Sequence, residues 1–161
     1  MRKKLFIIVI FLTLAIPATI FLAVQRQELR QRAAPATTLS LSPGSLTKKV
    51  GETFSIEVVI DTAENQVVSA DIYLTFDPTK LEAQTITNGA LFPNILTSGV
   101  VASGTASITV GAPSSAKPVK GTGTAAVVRF KALEATTTPA SIRFAANTFV
   151  GALGEGATNG L

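Results

Sequence analysis

The stretch Val67-Val68-Ser69-Ala70-Asp71-Ile72-Tyr73-Leu74-Thr75-Phe76 decides the fold of this chain. Apolar and polar side chains alternate along it, which is the pattern of a β-strand that buries one face and leaves the other free. The core-facing set is predicted to be Val68, Ala70, Ile72, Leu74 and Phe76. The outward set is predicted to be Val67, Ser69, Asp71, Tyr73 and Thr75. Asp77-Pro78 follows at once and predicts a turn in which the aspartate side chain bonds nearby backbone.

Further strands are predicted on both sides of this one. Residues 53–60 alternate in the same way, with Phe54, Ile56, Val58 and Ile60 on one face. Shorter candidate strands, separated by turn residues such as Gly, Pro and Asn, lie at residues 81–86, 95–101, 105–110, 124–132, 141–144 and 148–150. Val128 and Phe130 are predicted to be core residues. About eight short strands without a long helical period favour an all-β, antiparallel β-sandwich.

Composition excludes several classes of protein. The 161 residues include no Cys and no His, so there is no disulfide framework, and the commonest general base and transition-metal ligand are missing. Residues 1–32 hold 6 basic and 1 acidic side chains, and residues 33–161 hold 8 basic and 9 acidic ones, which together give the net charge of +4. Because the excess positive charge precedes the predicted domain, a nucleic-acid partner is not expected.

The N-terminal segment predicts a membrane helix. Residues 5–24 carry no charge, follow three basic residues and would span roughly 30 Å as a helix. The run ends without the small residues that a signal peptidase site requires, which favours an uncleaved anchor over a signal peptide. We therefore predict an anchor or signal segment at 1–24, a juxtamembrane linker at 25–37 and an extracytoplasmic domain at 38–161, secreted if the segment is cleaved.

Three stretches of the predicted domain resemble the cohesin family. They are Val50-Gly51-Glu52-Thr53-Phe54-Ser55-Ile56-Glu57-Val58, the strand at 68–76 with Asp77-Pro78-Thr79-Lys80-Leu81, and Gly121-Thr122-Gly123-Thr124-Ala125-Ala126-Val127-Val128-Arg129-Phe130-Lys131-Ala132. The resemblance implies a nine-stranded jelly-roll sandwich, one outer sheet face of which binds a dockerin, a small helical module carrying its own calcium. It also implies that the contact strand is 67–76, with Ser69 at a position where the family often has Asn. The family has a closing strand beyond the point where this chain stops, so we expect that strand to be missing.

The predicted function is a non-catalytic, surface-exposed module that captures a dockerin-like protein for the assembly of extracellular complexes, with a link to polysaccharide binding and breakdown. The candidate partner-binding residues are Ser69, Asp71, Tyr73 and Thr75. No catalytic residue, metal ligand or cofactor is predicted, because no motif brackets a pair of carboxylates and no calcium-loop run exists. The alternatives are a carbohydrate-binding sandwich, disfavoured by the absence of Trp and the single Tyr, and a purely structural or adhesive surface domain.

Overall fold

A computed structural model describes residues 37–153 of the chain. The predicted membrane segment, the linker up to residue 36 and the question of a closing strand after residue 153 lie outside the described residues. Within residues 37–153, no helix is long and apolar enough to cross a membrane.

Nine β-strands make up the described part of the chain. Their bounds are β1 Thr38–Ser42, β2 Thr53–Asp61, β3 Val67–Phe76, β4 Leu81–Asn88, β5 Asn94–Ala102, β6 Thr105–Gly111, β7 Thr122–Ala132, β8 Ile142–Phe144 and β9 Phe149–Ala152. The predicted strands are all present with small differences at their ends. The structure adds one strand that the sequence did not predict, β1, which is short and follows directly on a segment with the composition of a linker.

The strands form two antiparallel sheets. The four-stranded sheet has the order β1-β2-β7-β4, and the five-stranded sheet has the order β5-β6-β3-β8, with β9 also paired to β3. Strands β8 and β9 lie along the same edge of β3, β8 opposite its end and β9 opposite its beginning. The prediction of an all-β, antiparallel sandwich is confirmed by this arrangement.

The core lies between the inner faces of the two sheets. Phe130 on β7 is fully buried, as predicted, and its ring centroid lies 5.8 Å from that of Phe54 and 5.2 Å from that of Phe76. The contact with Phe76 is edge-on and joins the two sheets, a geometry that aromatic pairs favour. The inward side chains of β3 that the alternation predicted from Ala70 onwards are all buried.

The beginning of β3 corrects one prediction. Val67 is fully buried and Val68 is only half-buried, the reverse of what strict alternation from residue 67 predicts. The pairing of β3 with β9 is irregular between Val67 and Ser69, which shifts the side-chain alternation at that point. The predicted outward and inward sets are therefore correct from Ser69 onwards and wrong for the two valines.

The two sheets meet at the side formed by β4 and β5. Gly99 on β5 lies so close to β4 that a Cβ atom there would collide with the carbonyl oxygen of Ile86. At the other side, β1 and β8 end their sheets, and a cleft of about 620 Å³ lies between the β1–β2 and β7–β8 connections. The cleft is lined in part by Leu41, Leu46 and Ile142.

Candidate functional site

The four predicted binding residues lie together on the outer face of the five-stranded sheet, which we call the β3 face. Ser69, Asp71, Tyr73 and Thr75 are alternate residues of β3, and their partners across the sheet are the outward residues of β6. These partners are small: Gly111, Thr109, Ser107 and Thr105. Ser69, Asp71 and Tyr73 are half-buried and Thr75 is exposed. The middle of the β3 face is therefore a low surface of short side chains with Asp71 and Tyr73 at its centre.

An apolar rim on β5 borders this surface. Leu96 is 59% exposed and Val100 is 57% exposed. Val100 pairs with Ser107, which places it on the β3 face. Leu96 lies over Gly111, where an added Cβ would be 2.9 Å from the leucine Cγ atom. The absence of a side chain at Gly111 thus gives Leu96 room to lie on the sheet.

Phe149 occupies the corresponding place on the other side of β3. It pairs with Asp71, and its ring lies over Gly151, where an added Cβ would be 3.6 Å from the ring and 2.8 Å from the Ser69 hydroxyl oxygen. Phe149 was not among the residues that the sequence predicted for partner binding. The β3 face therefore carries two aromatic side chains, Phe149 and Tyr73.

Thr148 ties the backbone of Tyr73 to the edge of the sheet. Residues 145–148 lie between β8 and β9 and belong to neither strand, so no strand residue pairs with Tyr73 on that side. The Thr148 hydroxyl fills the place: it accepts a hydrogen bond from the Tyr73 N–H at 3.2 Å and donates one to the Tyr73 carbonyl oxygen at 2.9 Å. The N–H of Ala145 also donates to that carbonyl oxygen, at 2.8 Å. Thr148 is only 2% exposed.

Charge separates the β3 face from the outer face of the four-stranded sheet, which we call the β2 face. The strands of the five-stranded sheet, which carries the β3 face, contain two charged residues, Asp71 and Arg143. The strands of the four-stranded sheet contain five charged residues, which are Glu57, Asp61, Glu82, Arg129 and Lys131. Interface cores are depleted of charged residues and enriched in aromatic ones, so the β3 face has the composition of an interface.

The remaining acidic residues do not form a second site. Asp77 accepts hydrogen bonds from the Thr79 N–H at 3.0 Å and the Thr79 hydroxyl at 2.6 Å, and forms an ion pair with Lys80 at 3.2 Å. The Thr79 hydroxyl bond, with smaller help from the Thr79 N–H and Lys80, lowers the pKa of Asp77. The prediction that Asp77 is a turn residue is confirmed. In the part of the chain that the structure describes, no group of three or more Asp or Glu residues lies close enough to hold a metal ion.

Sequence analysis missed the apolar half of the β3 face. Leu96 and Val100 lie on a strand whose pairing with β6 is irregular at two points, so its outward residues do not alternate in sequence. Phe149 begins a strand of four residues, which is too short to show a period. Gly111 beneath Leu96 and Gly151 beside Phe149 were a usable signal, because a Gly inside a strand often marks close approach of another group.

Comparison with known proteins gives matches for both sequence and fold. The model of the cohesin domain family matches residues 39–160. Among solved structures, the sixth cohesin of Acetivibrio cellulolyticus scaffoldin B, solved in complex with a Cel5 dockerin mutant, has a TM-score of 0.63 and 17% identity, over 73% of this chain and 87% of that one.

Two further solved structures have the same fold. The seventh ScaB type I cohesin of Pseudobacteroides cellulosolvens has a TM-score of 0.62 and 18% identity, over 76% of this chain and 82% of that one. A non-cellulosomal cohesin from the archaeon Archaeoglobus fulgidus has a TM-score of 0.55 and 20% identity, over 72% and 78%. No curated protein matches the sequence. The family model covers well over half of the chain, so this chain belongs to the cohesin domain family.

Proposed function

We propose that the domain is a non-catalytic receptor that captures a dockerin-like helical module on its β3 face. The observation that supports this most is the combination of a charge-poor surface with exposed apolar side chains and half-buried aromatic ones. Leu96 and Val100 stand on one side of a row of small residues, with Tyr73 and Phe149 on the other. The row lies along β6, and the strands on either side of it are about 10 Å apart, close to the diameter of a helix.

Asp71 supplies the polar contact in this proposal. Asp71 is half-buried and lies in register with Thr109 on one side and Phe149 on the other, with Thr97 next in the row beyond Thr109. A hydrogen-bond donor on the partner would meet it in a partly dry setting, where a charge-assisted bond is strong. Tyr73 beside it offers a large contact area at a small entropy cost, as aromatic anchors in interfaces do.

The test is calorimetry of the full chain with dockerins encoded in the same genome and, separately, with soluble polysaccharides. Asp71→Ala should weaken dockerin binding about thirtyfold, which corresponds to about 2 kcal/mol. Glu82→Ala is the matched control, since Glu82 is an exposed strand carboxylate on the β2 face, and it should leave the affinity unchanged.

A carbohydrate-binding module is the alternative outcome of the same experiment. Tyr73 and Phe149 are the aromatic side chains that a sugar ring would stack on. Tight binding of a polysaccharide that Tyr73→Ala abolishes, with no binding of any dockerin, would replace the proposed function with that one. The assembly of extracellular complexes and a role in polysaccharide breakdown are part of the proposal only if a dockerin-bearing partner binds.

The location of the domain is also part of the proposal. The apolar run at 5–24 supports an uncleaved anchor with the domain on the extracytoplasmic side. N-terminal sequencing of the protein from the membrane fraction tests it. A chain that begins at Met1 or Arg2 is expected, and one that begins near Gln25 or Thr37 would mean that the segment is a cleaved signal peptide.

A further inference from the structure

Beside Tyr73, the edge of the five-stranded sheet has a gap between β8 and β9, and the side chain of Thr148 bonds the backbone there in place of a strand. Between the pairs Leu74–Phe144 and Asp71–Phe149, two residues of β3 face four residues of the neighbouring segment. The extra length takes residues 145–147 out of line, and the N–H of Thr148 closes the excursion by donating to the carbonyl oxygen of Ala145 at 2.9 Å. One hydroxyl group then serves both backbone groups of Tyr73.

We infer that Thr148 is a positioning residue for partner binding, which holds Tyr73 and Phe149 in place on the β3 face. This inference rests on the proposed function. Thr148 does not contact the partner itself, because it is 2% exposed. It acts on Tyr73 through two hydrogen bonds to the backbone and on Phe149 through the next peptide bond. The two aromatic residues of the face thus share one buried support.

Removal of the hydroxyl should loosen this edge locally. Val is close to Thr in shape but can neither accept the Tyr73 N–H nor donate to its carbonyl oxygen. A backbone donor that loses its partner away from water is costly, so β3 and β9 would separate at this point to admit water. Ser keeps the hydroxyl and should restore both hydrogen bonds.

The molecule offers a matched control in Thr62. It is fully buried, and its hydroxyl accepts a hydrogen bond from the Gly121 N–H at 2.8 Å and donates to the carbonyl oxygen of Ala63 at 3.4 Å. Thr62 follows β2 in the four-stranded sheet and has no part in the β3 face. Thr62→Val therefore removes the same chemistry at the same depth, away from Tyr73.

The experiment compares Thr148→Val, Thr148→Ser and Thr62→Val in the full chain by amide hydrogen exchange and by titration with the dockerin that binds the unaltered protein. Thr148→Val should speed exchange of the Tyr73 amide at least about tenfold relative to the amides of β7, and weaken binding about tenfold. Thr148→Ser should return both to within about threefold, and Thr62→Val should change neither selectively.

Two outcomes separate this inference from the proposed function. If Thr148→Val and Thr62→Val have the same effect on the Tyr73 amide and on binding, Thr148 is an ordinary stabilising residue and the inference is wrong. If the Tyr73 amide is selectively exposed in Thr148→Val but no dockerin binds even the unaltered chain, the support of Tyr73 is upheld and the proposed function fails.

Discussion

The polar groups of the two outer faces of the sandwich are satisfied in different ways. On the β2 face, Glu57 accepts a hydrogen bond from the Thr124 hydroxyl at 2.8 Å, and Arg129 donates to the Thr53 hydroxyl at 3.1 Å. On the β3 face, the carboxylate of Asp71 has no hydrogen-bond or ion-pair partner among residues 37–153. The β2 face engages Glu57 and Arg129 in hydrogen bonds within the sheet, whereas the β3 face keeps the carboxylate of Asp71 and several apolar side chains available for a partner.

The difference shows why an outer sheet face alone does not identify a binding site. Both faces consist of alternate strand residues, and both are rich in Ser and Thr. Polar residues that bond each other across strands stabilise the sheet by a few tenths to about 1 kcal/mol per pair. Their hydrogen-bonding groups are then already used and are less available to a partner. The β3 face instead exposes Leu96 and Val100 beside an unpaired carboxylate, a combination that serves association more than folding.

The largest expected effect comes from a charge placed on the apolar rim. Val100→Lys should weaken partner binding about a hundredfold or more, about 2.7 kcal/mol, because the ammonium group would lose water against an apolar partner surface. Val127→Lys places the same charge at an outward, half-buried position of the β2 face and should leave affinity unchanged. Calorimetry of both variants is the measurement. Equal losses from the two lysines would remove the distinction between the faces.

A smaller effect is expected from filling the space beneath Leu96. Gly111→Ala adds a Cβ atom 2.9 Å from the Leu96 Cγ atom, so the leucine must tilt away from the sheet. We expect a loss of affinity of about three- to tenfold, below about 1.4 kcal/mol. Gly44→Ala is the control, since nothing lies within 4 Å of an added Cβ there. An affinity that Gly111→Ala leaves unchanged would mean that the partner does not touch the β5 side of the face.

The smallest expected effect concerns Asp77, which lies in neither face. Hydrogen bonds from Thr79 and then the charge of Lys80 lower its pKa below the ordinary value of 3.8, so its stabilising contribution is present above that value and is lost as the pH falls through the lowered one. Asp77→Asn should therefore be slightly less stable than the unaltered chain at pH 7. The difference in thermal unfolding between the two should shrink as the pH falls below 3.8 and through the lowered pKa, and a difference that does not shrink would assign the effect to the turn geometry. Partner affinity should be the same for both.

The alternation in sequence was enough to place half of the candidate site. Ser69, Asp71, Tyr73 and Thr75 share a face because β3 is regular from Ser69 onwards and pairs with β6 without a bulge. The other half lies on strands where irregular pairing or short length removes the period, as for Val100 on β5 and Phe149 on β9. Which residues meet across a sheet depends on register between distant segments, and a single sequence does not encode that register in a readable form.

The same limit applies to the fold. The ten residues of β3 alternate strongly enough to be predicted alone, with an error at Val67 and Val68 where the strand is irregular. Strand β1 has five residues and, within residues 37–153, pairs only with β2, so its existence depends on a neighbour and not on its own pattern. The support that Thr148 gives to Tyr73 joins residues 75 positions apart, and no local signal predicts it.

The central claim is that a partner binds the β3 face and leaves the β2 face free. Amide hydrogen exchange of the full chain, with and without a bound dockerin, tests it directly. The account predicts that protection increases in β3, β5, β6 and β9 around Asp71, Tyr73, Val100 and Phe149, and that β2 and β7 show no selective gain. A gain concentrated on β2 and β7, or in the cleft between the β1–β2 and β7–β8 connections, would contradict it.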